Sequence, residues 1–117
     1  MPHMDDALDG LFSELRRGTL VLGVLAQLRE RQYGYSLVQN LTEKGMEVDQ
    51  GTLYPLLRRL EKQGLLDSDW SLEEARPRRY YVLSARGQEV LRELAAQWDG
   101  LVNVIDRLLE RDGRERA

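Results

Sequence analysis

Six apolar side chains near the end of the chain, Leu91, Leu94, Trp98, Leu101, Ile105 and Leu108, recur at alternating spacings of three and four residues. That is the a/d seam of a heptad, which keeps one stripe of a long helix turned toward a partner helix. A chain of 117 residues has room for one modest core and cannot easily bury a helix of this length on itself. The seam therefore predicts association. A second copy of the chain on a two-fold axis is the expected partner, and packing within one chain is the alternative. Val102 and Leu109 add a second apolar row beside the seam.

Upstream, the chain reads as a run of short helices followed by a pair of strands. Leu8, Leu11, Phe12 and Leu15 mark one face of a helix over 5–15. Gly18 is expected to break it from a second helix over 19–31, whose first half is apolar almost all round and reads as the central core helix. Leu8, Leu11 and Phe12 are assigned to the same dimer interface as the C-terminal seam. A third helix over 35–44 turns Leu37, Val38 and Leu41 inward and ends at Gly45, where a left-handed cap belongs. Asp49 is a helix N-cap by type and position, opening a fourth helix that runs to Gln63 and stops at Gly64. Residues 65–72 and 78–84 read as strands, the second alternating Tyr81 and Leu83 against Tyr80 and Val82. Glu73 to Pro77 make the loop between them. Ser84 then caps the long last helix, which reaches about Arg111.

A helix-turn-helix followed at once by a β-hairpin is the winged-helix layout. The expected fold is thus mainly α with a β-hairpin. A winged helix-turn-helix domain with its N-terminal helix covers 1–83, and a C-terminal dimerisation helix covers 84–117.

The fourth helix carries the first functional signal. At 100° per residue, Leu53, Leu56, Leu57 and Leu60 share one face. Gly51, Pro55, Arg58 and Lys62 occupy the opposite one, flanked by Thr52, Tyr54 and Arg59. The outward side of its N-terminal half is the part a helix-turn-helix presents to base edges in the major groove. Arginine reads guanine, and Lys, Thr and Tyr hold phosphates. The bland alternative is an ordinary solvated face. Pro55 sits where proline costs roughly 3 kcal/mol inside a helix, so the helix either begins close to Gly51 or opens in its first turn.

The second signal is Arg76-Pro77-Arg78-Arg79, three guanidinium groups at a hairpin tip. Such a tip grips phosphates or reaches into the minor groove, unless it is a solvated turn partly neutralised by Glu73 and Glu74. Gln50, Thr52, Tyr54, Arg58 and Arg59 are therefore assigned to the major groove, Arg76, Arg78 and Arg79 to the backbone, and Lys62 to DNA contact from the same helix. Tyr35, at a helix start, is assigned to a phosphate held beside backbone N–H groups.

The net charge is −3, against the basic balance common in nucleic-acid binders. A protein-interaction module using the same winged surface stays open on that ground. The chain has no cysteine and a single histidine, His3, so disulfides, thiol catalysis and transition-metal sites are not expected. It offers no nucleophile–base pair and no phosphate-cradling glycine loop, so no enzymatic activity and no cofactor are expected. No segment is long and apolar enough to span a bilayer, and the acidic N-terminus lacks the apolar run of a signal peptide. The expected location is the cytoplasm. Trp98 lies in the dimer seam, where a tryptophan either packs or stacks on a flat aromatic ligand.

Several stretches together resemble the PadR family of transcriptional regulators. They are Gly18-Thr19-Leu20, Tyr33-Gly34-Tyr35, Gly51-Thr52-Leu53-Tyr54-Pro55 running on to Leu60-Glu61, Gln63-Gly64-Leu65, and Arg76-Pro77-Arg78-Arg79-Tyr80-Tyr81 with Ser84 and Gly87. The likeness covers roughly 16–109 and is closest to the short branch with one long C-terminal helix. It implies a dimeric repressor bound to a palindromic double-stranded DNA operator, with Tyr35, Thr52, Tyr54 and Arg79 touching DNA. It also implies a small aromatic effector at the dimer axis, for which Trp98 is the matching position. The family often has isoleucine where this chain has Leu37, and lysine where it has Arg79. Neither change alters the chemistry.

Overall fold

The computed structural model describes residues 4–72 and 76–111. Four helices and three strands follow one another as α1 (Met4–Gln27), β1 (Gln32–Tyr33), α2 (Gly34–Glu43), α3 (Gln50–Lys62), β2 (Leu66–Ser71), β3 (Arg78–Leu83) and α4 (Ala85–Leu108). The strands form one antiparallel sheet in the order β1-β3-β2. The core is a leucine cluster, each fully buried side chain contributing about 1.5–3 kcal/mol. Val24 and Leu25 come from α1, Leu28 from the turn that follows it, Leu37 and Leu41 from α2, and Leu53, Leu56, Leu57 and Leu60 from α3. Leu66, Tyr81 and Leu83 close it from the sheet.

The local signals at helix ends act as their chemistry predicts. Asp49 Oδ1 accepts from the Thr52 N–H at 2.7 Å, and Ser84 Oγ accepts from the Gly87 N–H at 2.9 Å. Gly45 and Gly64 take positive φ just past α2 and α3. Behind each, paired bonds close the helix: Gly45 N–H to Thr42 O and Met46 N–H to Leu41 O, then Gly64 N–H to Glu61 O and Leu65 N–H to Leu60 O. The Ser84 hydroxyl also donates to Gly64 O at 2.6 Å, and Ser84 N–H to Leu65 O at 3.0 Å. The end of α3 and the start of α4 are thereby fastened to each other. Gly87 completes that joint, because a Cβ there would lie 2.0 Å from the Leu65 carbonyl oxygen.

Four expectations are corrected. Gly18 does not break a helix: α1 runs unbroken from Met4 to Gln27. A mid-helix glycine costs only about 1 kcal/mol against alanine, less than stopping and renucleating a helix. The second helix also ends at Gln27 rather than Arg31, and the chain turns there to begin β1. That strand was not foreseen, and it makes the wing a three-stranded sheet rather than a bare hairpin. Finally, α4 stops at Leu108 and is closed by Glu110, which takes a positive φ of 59°. Of the expected hairpin loop, Glu73 and Glu74 lie outside the described residues.

Leu91 and Leu94, from the first half of the seam, pack with Val90 against the chain's own core. The rest of the seam is exposed: Trp98 43%, Leu101 55%, Ile105 47% and Leu108 73%. Leu8, Leu11, Phe12 and Leu15 on α1 are exposed too. Among the described residues no helix is long and apolar enough to cross a membrane.

Candidate nucleic-acid interface

The fourth predicted helix is α3, and its leucine stripe is buried as the periodicity requires. That fixes which side faces out. Gln50, Thr52, Arg58, Arg59 and Lys62 are exposed, and Tyr54 is half-buried. Pro55 lies inside the helix, and the residue four back, whose carbonyl the ring crowds, is exposed Gly51.

Tyr54 is held by its surroundings. Its ring lies against Gly34, the first residue of α2, so closely that a Cβ at 34 would come within 2.2 Å of the ring. Next to it Tyr35 is 51% exposed. The start of α2 has Tyr33 at the N-cap and no side-chain hydrogen bond capping it. Backbone N–H groups at that end therefore point outward with the positive end of the helix dipole.

Strand parity sorts the wing. On the face toward α3 and the core stand Leu66, Ser68 and Trp70 opposite Leu83, Tyr81 and Arg79. The other face carries Asp67, Asp69 and Ser71 opposite Val82, Tyr80 and Arg78. On this outer face cations and rings interleave. The Arg31 guanidinium lies 3.9 Å from the Tyr80 ring centre and forms a two-point ion pair with Asp69, at 3.2 and 2.9 Å. Tyr80 meets Tyr33 edge-on at 5.5 Å, and Arg78 lies 4.5 Å from the Tyr33 ring. Such contacts contribute about 0.5–1 kcal/mol each at exposed sites and hold β1 and β3 as one plate. Leu83 N–H donates to Leu28 O at 2.8 Å, tying that plate to the segment after α1.

The inner face carries a strut that the sequence reading missed. Arg79 donates from its terminal guanidinium nitrogen to Glu61 Oε1 at 2.8 Å and from Nε to Ser68 Oγ at 3.1 Å. The Ser68 hydroxyl in turn donates to the other Glu61 oxygen. A three-residue ring thus joins α3, β2 and β3. The Ser68 hydrogen bond is the largest influence holding the Glu61 carboxyl below its ordinary range. Partial desolvation opposes it, and Arg79 adds to it by hydrogen bond and charge. Burial pushes the Tyr81 phenol up, against the nearby Arg79 charge. The signal for the strut lay in period two. Residues 78 and 79 occupy opposite faces of a strand, so two adjacent arginines cannot share one role by position alone.

Between α3 and the wing lies an open cleft of about 670 Å³. Tyr35, Gln50, Tyr54, Arg58, Arg76, Arg78 and Arg79 line it, with Trp70 and Tyr33. Most of the predicted contact residues, taken from three separate elements, meet there. Thr52 faces away from this cleft into a second groove. Arg59 and Lys62 are exposed on α3 and line neither. No carboxylate lines the cleft among the described residues, so its guanidinium groups give it a positive potential although the whole chain is acidic, with Arg79 already paired to Glu61 behind it.

The same architecture occurs in known proteins. The crystal structure of a PadR family transcriptional regulator from Eggerthella lenta superposes with a TM-score of 0.85 at 50% identity, covering 92% of this chain and 96% of that one. A PadR-like transcription factor from Bacteroides fragilis gives a TM-score of 0.72 at 35% identity, covering 85% and 98%. In sequence, a transcriptional regulator from Mycobacterium tuberculosis is 37% identical over 81 residues, 68% of this chain and 76% of that protein. The profile of the transcriptional regulator PadR-like family matches residues 21–93, from the core of α1 through α2, α3 and the wing into α4. That span holds the strut and every described residue lining the cleft, and the chain belongs to the PadR-like family of transcriptional regulators.

Proposed function

We propose that the chain is a homodimeric repressor that reads a palindromic operator, with α3 in the major groove and the wing on the flanking backbone. The observation that carries this reading is the cleft, where bases and phosphates would meet Gln50, Tyr54, Arg58, Arg76 and Arg78 with no carboxylate lining it among the described residues. Thr52 adds a contact from the other side of α3, and Arg59 and Lys62 extend the basic side toward the helix end. Arg79 reaches the backbone with what its bond to Glu61 leaves open, its side chain being 37% exposed. Tyr35 and the uncapped start of α2 take a phosphate. The exposed apolar residues of α4 and of the first half of α1 form the dimer interface. Two-fold symmetry then demands two half-sites. Repression, and release by a small flat aromatic at Trp98, are what the family resemblance implies. A role on chromosomal DNA places the protein in the cytoplasm.

Selection from a random double-stranded DNA pool, followed by an affinity-versus-salt titration on the selected sequence, tests the reading. A palindrome should be recovered and bound far more tightly than the pool. Replacing Arg78 and Arg79 with alanine should weaken binding to every sequence and flatten its salt dependence. A confirmed dimer that enriches no sequence at low salt would overturn DNA readout and assign the cleft to a protein partner. Saturating aromatics that leave both Trp98 fluorescence and operator affinity unmoved would remove the effector from the scheme.

A further inference from the structure

We propose that α3 sits between two rows of backbone phosphates, and that Arg16 and Arg17 of α1 hold the row on the side away from the wing. The inference rests on the DNA-binding reading above and extends its footprint to a helix that reading leaves out of the DNA contact.

The exposed first turns of α3 divide the surface in two. Gln50, Tyr54 and Arg58 face the wing cleft, while Thr52 faces a separate open groove of about 1040 Å³ between α1 and the link from α2 to α3. Arg16 and Arg17 line that second groove, with Thr19 and Thr42 beside them. The major groove of B-DNA is about 12 Å wide and accepts a helix of about that diameter. A helix seated there has a sugar-phosphate strand on each flank. The wing side supplies Arg58, Arg76 and Arg78 for one strand, and the second groove offers Arg16 and Arg17 to the other.

Two further observations favour this. Ser13, Arg16, Arg17 and Leu20 share one face of α1, its centre rotated by roughly 140° from that of the stripe of Leu8, Leu11, Phe12 and Leu15. A second copy covering that apolar stripe leaves both arginines, which are exposed, open to a ligand. The groove also contains two carboxylates, Asp49 and Glu47. Asp49 accepts from the Thr52 N–H and keeps its charge, and Glu47, which is exposed, is the opposing charge that can be removed without uncapping α3.

The test uses the full chain and its selected operator, with affinity measured against salt and backbone protection mapped by hydroxyl radicals. Arg16→Ala/Arg17→Ala should bind at least tenfold more weakly at 0.1 M salt, with a slope shallower by about 3–4, since each phosphate contact contributes about 0.9 and the dimer loses four. It should lose protection on one flank of the major groove only, while Arg76→Ala/Arg78→Ala loses the other. Arg16→Lys/Arg17→Lys should keep both, and Glu47→Gln should bind about two- to threefold more tightly with a steeper slope. Unchanged slope and intact protection on both flanks in the alanine variant would overturn the proposal, as would equal loss in the lysine variant, which retains the charge. If the alanine variant fails to fold or to dimerise, Glu47→Gln decides: unchanged affinity and slope overturn the assignment. An unaltered chain that binds no DNA would overturn the DNA-binding reading itself, whereas normal operator binding combined with an unaffected variant overturns only the second row.

Discussion

The two halves of α4 obey one sequence pattern and sit in opposite surroundings. In the first half, Ser84 caps the helix, Gly87 lies against the Leu65 carbonyl, and Val90, Leu91 and Leu94 rest on the core. In the second half, from Gln97 to Leu108, only Val102 and Asp106 are buried, and the remaining seam residues face outward. A heptad stripe records which side of a helix is apolar and carries no mark of where the domain core ends. That limit is set by the reach of α1, α2 and α3. Beyond it, the stripe is exposed among the described residues, and exposed apolar surface of this extent is the mark of an association site. The N-terminal half of α1 is in the same condition, whereas its C-terminal half supplies Val24 and Leu25 to the core.

The contrast can be broken or sharpened by substitution. The largest effect is expected from Leu101→Glu/Ile105→Glu in the outer half. It should raise the dimer dissociation constant about a thousandfold, roughly 4 kcal/mol, by placing two carboxylates in an apolar seam, and sedimentation at micromolar concentration should show a folded monomer. If the dimer persists unchanged, the outer half is not the interface. Next is Gly87→Ala in the inner half, which forces a methyl onto backbone and should cost about 3 kcal/mol. Urea denaturation should show that loss at every protein concentration, unlike the first variant.

A smaller effect comes from Glu61→Gln, which weakens the strut while leaving both halves of α4 untouched. The loss at neutral pH should be about 0.5–1 kcal/mol, since the Arg79 partner is more than a third exposed and screened by solvent. The folded state lowers the Glu61 pKa, so its contribution is present above the ordinary carboxylate range and fades as pH falls through the folded value. Denaturation curves of the two proteins should therefore converge in acid, with no change in dimer constant. The smallest effect is Gly100→Ala in the outer half. A Cβ there meets nothing within 4 Å, so the helix should gain up to about 1 kcal/mol. A weaker dimer instead would show that the partner helix approaches closest at this glycine.

Features set by a few neighbouring residues were legible in the sequence. Asp49, Ser84, Gly45 and Gly64 work within one helical turn, and the leucine face of α3 follows from a fixed angle per residue. What escaped depends on distant parts of the chain. β1 is two residues long, and Tyr33 finds its partner Tyr80 only after α2, α3 and β2 have been placed. Gly18 reads as a stop by composition, yet α1 continues through it. Arg79 was grouped with Arg76 and Arg78 by charge density, and the sheet separates it from Arg78 and turns it onto Glu61. For the site, the clustering of Tyr35, Tyr54, Arg58 and Arg78 could be expected from the winged layout. The second groove could not, because it depends on how α1 lies beside Thr52.

The contact between Gly34 and Tyr54 binds two positions into one heritable choice. Any side chain at 34 must evict the ring, and the ring helps shape the exposed surface of α3. A lineage that trades Tyr54 for a smaller residue would open a hole beside α2, which only then could accept alanine or serine at 34. In the reverse order the path is closed, since a substitution at 34 displaces the Tyr54 ring first. Among relatives, the two positions should therefore change together, with the residue at 54 leading.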